Sequence, residues 1–149
     1  PDMGLKDRLA GRPRPTRPYS LRIDDDTTAR AELAAARAVG DENRIVAAQT
    51  AVEACYEQVT ITALPPITME ELIAQHPPPQ TKPGGQEKIF NPATFVPAVL
   101  AACVDSDVTE ADWTEYITTG ALTIGEVDDL FHAVWTLNYR APSPDLPKG

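Results

Sequence analysis

The chain has 149 residues, enough for one domain with a real core. Its net charge of −9 and pI near 4.6 disfavour phosphate backbones and anionic membranes as partners. No apolar run approaches the ~20 residues that span a bilayer, and no signal peptide is visible, so a cytosolic protein is expected. The 15 prolines cluster at 13–18, 65–66, 77–83 and 142–147, which marks linkers and element boundaries around a folded body.

Residues 1–18 read as a flexible basic Pro/Arg arm: Lys6, Arg8, Arg12, Arg14 and Arg17 stand against Asp2 and Asp7, a local charge of +3. Such an arm can meet nucleic acid, its own acidic body or a neighbouring copy. Nucleic acid is disfavoured because no aromatic residues are interleaved with the arginines. The arm buries little and is expected to be dispensable for folding.

Residues 19–76 form the next unit, read as strand, helical hairpin, strand and short helix. Tyr19, Leu21 and Ile23 alternate with Ser20, Arg22 and Asp24, the period of a half-buried strand. Asp24, Asp25 and Asp26 lack the Gly and Glu positions of an EF-hand loop and are better placed at a helix N-terminus. An Ala-rich helix then runs to Gly40. A second helix, from about Asp41 to Glu57, carries Ile45, Ala48, Val52 and Cys55 on one stripe. Val59, Ile61 and Ala63 suggest a second strand, ended by Pro65 and Pro66. A two-stranded ribbon alone is marginal and must pack on helices or on another subunit. Thr68 and Glu71 have capping-box spacing for a short helix, and residues 77–89 are a linker.

Residues 90–140 read as a C-terminal helical bundle. Asn91 can serve as N-cap or turn residue with Pro92 after it, Thr94 can cap the helix proper, and Pro97 is expected in the first turn, where its missing N–H has no acceptor to lose. Thr109 and Asp112 open a helix stopped at Gly120, and Thr123 and Glu126 open a last one. Residues 141–149 are a flexible tail. The fold class is mainly α: a helical domain with an N-terminal α-hairpin flanked by two short β-strands.

Catalytic chemistry is not spelled out. Gly84-Gly85 is no phosphate loop, no Ser or Cys stands in a nucleophile motif, and His76 and His132 lack partners at metal-ligand spacing. Cys55 and Cys103 are expected as reduced, buried thiols. No enzyme activity, cofactor or metal is expected. The apolar residues Phe95, Leu100, Trp113, Phe131 and Trp135 are the candidate partner surface, some of them necessarily core.

The series "FNPATFVPAVLAACV", "TEADWTEYI" and "TIGEVDDLFHAVWTLN" resembles the tail assembly chaperones of long-tailed bacteriophages that infect actinobacteria. In that family a Phe-Asn-Pro-x-x-Phe-x-Pro-Ala opening precedes an apolar helix ending in Cys. An acidic helix with Trp follows, then a Gly-Glu helix closing with Leu-Asn. The match runs from about Ile67 to Gly149. It implies a non-catalytic protein of the bacterial host cytoplasm, absent from the mature virion. Such a protein coats the tape-measure protein and helps recruit tail-tube subunits. It implies no active-site residue, and self-association stays open. A longer product, made by a −1 ribosomal slip near Leu146-Pro147-Lys148, is also implied. The alternative is a structural virion component, such as a head–tail adaptor or minor tail protein.

Overall fold

The computed structural model describes residues 4–79 and 89–139. The linker at 77–89 therefore lies largely outside the described residues, and the tail at 141–149, with the Leu146–Lys148 segment, lies wholly outside them. The chain is mainly helical with a small three-stranded antiparallel sheet. In order the elements are α1 (Leu5–Ala10), β1 (Thr16–Arg22), α2 (Thr27–Val39), α3 (Glu42–Glu53), β2 (Tyr56–Thr62) and α4 (Pro66–Ala74). They are followed by α5 (Pro92–Cys103), β3 (Val104–Asp105), α6 (Glu110–Thr119) and α7 (Ile124–Tyr139). The sheet order is β1-β2-β3. Contacts divide the chain into a unit of residues 18–59 and a second unit comprising 1–17 and 60–149.

In the 18–59 unit, β1 and β2 are bound where the strands end: the Cys55 carbonyl accepts the N–H groups of Ile23 and Asp24. That claim on Cys55 stops α3 at Glu53 and starts β2 at Tyr56, three residues before the expected strand. α2 packs on α3 through Ala36 and Ala48, the buried residues of this unit. Small side chains let the two backbones approach closely. Gly40 closes α2 at φ 78, a left-handed conformation that costs Gly little. Asp41 caps α3 by accepting the Arg44 N–H.

The N-terminal arm differs from its reading as one flexible extended segment. Between Gly4 and Gly11 the run LKDRLA contains only residues compatible with a helix and forms α1. Strand β1 begins at Thr16, and the Pro15 carbonyl accepts the Ala63 N–H. The arm's last residues thus belong to the sheet, so deleting all of 1–18 would remove part of β1.

Two helix starts also move. Pro66, with its φ preset, occupies the first turn of α4, which places Thr68 inside the helix with no side-chain cap made there. Helix α5 starts at Pro92 under the Asn91 cap, which accepts the Ala93 N–H. Pro97 therefore sits in the second turn rather than the first, and its missing N–H leaves the Ala93 carbonyl without an intrahelical partner. Ala93 is exposed, so water can take that carbonyl, and α5 continues unbroken to Cys103. Thr109 and Asp112 form the full reciprocal capping box of α6, and Thr123 and Glu126 do the same for α7.

The main core lies in the C-terminal part of the 60–149 segment: Phe95, Val99, Leu100, Cys103, Trp113, Leu130 and Val134 are all nearly or fully buried. Directly after α5, the chain adds the two-residue β3, pairing Ile61 with Val104 and Thr60 with Asp105. The sequence reading had no third strand, since two residues carry no period. The Thr62 hydroxyl donates to the Asp105 carboxylate at 2.9 Å and extends this short ladder.

Candidate partner interface

The five apolar residues singled out above separate into two groups. Phe95, Leu100 and Trp113 are buried to 2% exposure or less and cannot be a docking surface as the chain stands. Trp113 meets Tyr116 edge-on, and its Nε1–H has no hydrogen-bond partner among the described residues. Phe131 and Trp135 are half-buried and stack at a centroid distance of 5.9 Å. They stand one helical turn apart on α7, the (i, i+4) spacing that lines up side chains on one face.

Two residues absent from the candidate set complete that face. Tyr139, another turn along α7, stacks on Trp135 at 4.3 Å and is 52% exposed. Phe90, just before the Asn91 cap, lies 5.6 Å from Trp135, 6.1 Å from Phe131 and 4.3 Å from the buried Phe95. Beside it Ile89 is 63% exposed. The result is an aromatic ladder, Phe131–Trp135–Tyr139, backed by Phe90 and rooted on Phe95. The 131/135/139 spacing was readable in the sequence; that Phe90 returns to it was not. The return is fixed by the Asn91 N–H donating to the His76 carbonyl, with the His76 ring edge-on to Phe95 at 6.1 Å.

Asn138 holds the base of the ladder. Its Oδ1 accepts the Leu64 N–H at 2.8 Å, while its Nδ2 donates to the Val134 carbonyl at 2.8 Å. The same amide approaches the Cys103 Sγ at 3.7 Å. Burial pushes the Cys103 thiol pKa up, with the Asn138 hydrogen bond pulling weakly the other way. Cys103 and Cys55 are both free thiols, Cys103 buried and Cys55 only half-buried.

The 18–59 unit holds a separate open concavity of about 510 Å³, lined by Ser20, Arg30, Val52, Glu53, Tyr56 and Gln58. Its polar head is a closed triad: the Tyr56 hydroxyl donates to Asp26 and accepts from Arg30, and Arg30 also donates to Asp26. These bonds, Tyr56 first, hold the Asp26 carboxyl below its usual range and the Arg30 guanidinium above its own. Asp25 is lowered by its bonds from Thr27. The aspartate run therefore serves local geometry, and no group of metal-binding side chains occurs among the described residues.

No protein-family model, curated protein or solved structure matches the chain. No helix among the described residues is long and apolar enough to cross a membrane.

Proposed function

We propose that the chain is a non-catalytic tail assembly chaperone of a long-tailed actinobacterial bacteriophage. In this reading it coats the tape-measure protein and helps recruit tail-tube subunits in the host cytoplasm, and it leaves before the virion is complete. The observation that carries the reading is the aromatic ladder on α7, with Phe90 behind it. Stacked, half-exposed rings at one-turn spacing suit the apolar stripe of an elongated helix, the helix-in-groove mode of recognition. The resemblance of 90–104, 109–117 and 123–138 to the chaperone family supports it independently. The net charge of −9 keeps a coated tape-measure protein soluble. On the fold, we read α2 and α3, joined through Gly40 and Asp41, as an antiparallel hairpin between the flanking strands.

Co-expression with the tape-measure protein of the same phage tests the proposal. The chain should keep that protein soluble and co-purify with it, and mass spectrometry should find the chain in infected lysate but not in purified particles. Insoluble tape-measure protein in its presence would refute the chaperone role. A second reading, a structural virion component, is favoured by α1 and the early start of β1, because ring-forming adaptors use structured termini. Abundance in purified particles would select it.

A further inference from the structure

Helix α1 buries none of its residues, and Leu5 and Leu9 are 72% and 55% exposed. A six-residue helix is marginal in water without tertiary support, so its apolar face calls for a partner. At 100° per residue, Leu5 and Leu9 share one face, Lys6 and Arg8 flank it on either side, and Asp7 points away. The face is therefore a leucine stripe between two cations. A complementary seat would be an apolar hollow with an acidic rim.

Such a hollow of about 280 Å³ lies between α4 and the end of α7, lined by Leu64, Pro66, Met69, Glu70, Asn138 and Tyr139. Its lining is mainly apolar, with Glu70 contributing the negative charge and Glu71 next to it in sequence. The exposure of Leu5 and Leu9 shows that α1 does not occupy the hollow of its own chain. Arg12-Pro13-Arg14-Pro15 favours an extended spacer between α1 and the point where the Pro15–Ala63 bond anchors the chain. The arm carries +3 on a chain whose net charge is −9, so a second copy is the charge-complementary occupant at hand.

We propose that two copies of the chain exchange their N-terminal arms, the Leu5/Leu9 face of each α1 seating in the α4–α7 hollow of the other, with Lys6 near Glu70. The exchange is isologous and closes a dimer. It does not rest on the tail-assembly reading, although its seat shares Tyr139 with the aromatic ladder, so the two occupants would compete at the end of α7.

Sedimentation equilibrium of the full chain tests it, with circular dichroism confirming that each variant is folded. The wild type should self-associate. The association should weaken as salt rises from about 0.1 M to about 1 M, which shortens the Debye length from about 10 Å to about 3 Å. L5D/L9D, which alters only exposed side chains, should raise the dissociation constant at least tenfold. E70K should weaken association, and K6E/E70K should restore it in part. A wild type that stays monomeric to several hundred micromolar overturns the proposal, as does undiminished association of L5D/L9D. Loss in L5D/L9D with no effect of E70K overturns the seat on α4.

Discussion

Residues 18–59 and the C-terminal helices of the second unit hold together by different physics. In the first, Ala36 and Ala48 are the buried side chains, and much of the cohesion is polar: Asp26–Arg30–Tyr56 at one end and Glu32–Arg44 between α2 and α3. In the second, Phe95, Val99, Leu100, Trp113, Leu130 and Val134 form an apolar core, bordered by the helix caps and the Asn138 clamp. Apolar burial is insensitive to salt and mild acid, whereas exposed ion pairs are weakened by both. The difference assigns roles: the C-terminal helices are rigid enough to present a shaped aromatic surface, and the 18–59 unit is the part that solution conditions can loosen.

The sharpest way to break this contrast is to remove a core side chain. Phe95→Ala or Leu100→Ala should each cost about 3–5 kcal/mol, since both are fully buried and Phe95 roots the ladder. Denaturant titration followed by tryptophan emission would read this, because both tryptophans, Trp113 and Trp135, lie in the C-terminal helices. A cost below about 1 kcal/mol would mean the core is not where stability resides. Next in size, Asn138→Ala strands the Leu64 N–H and should cost about 1–3 kcal/mol.

Acid should act on the other unit. Asp25, Asp26 and Glu32 all have pKa values lowered by hydrogen bonds, from Thr27, from Tyr56 and Arg30, and from Arg44 respectively. Their stabilisation is complete above the ordinary values of 3.8, 3.8 and 4.5 and is lost as pH falls below them, because the unfolded chain then binds protons first. Far-UV circular dichroism should therefore fall in acid before tryptophan emission shifts. Simultaneous loss of both signals would erase the contrast. The smallest effect is expected for Glu32→Gln, which removes one exposed pair and should shift the thermal midpoint only slightly, less still at high salt.

Helix boundaries marked by side-chain chemistry were partly legible in the sequence: Thr109 with Asp112 and Thr123 with Glu126 cap as their spacing requires, and of the two candidates for α5 it is Asn91, not Thr94, that caps. Thr68 shows the limit of that signal, because Pro66 starts α4 earlier and makes the Thr68 motif internal. β3 and the placement of Phe90 were not legible, since each depends on partners distant in sequence. α1 was hidden by the prolines that follow it. For the candidate interface, the (i, i+4) period identified Phe131 and Trp135 but could not separate them from the buried Phe95, Leu100 and Trp113. An apolar residue at helical spacing reads alike in a core and at its rim.

The central claim is that the half-buried ladder on α7 is the partner surface. Amide hydrogen exchange of the full chain, with and without the tape-measure protein, tests it most directly. Protection gained along residues 131–139 and at Phe90, with 18–59 unchanged, is the predicted result, and Trp135→Ala should then weaken binding by about 2 kcal/mol or more. Protection confined to 18–59, or a full-strength complex with Trp135→Ala, would contradict the account.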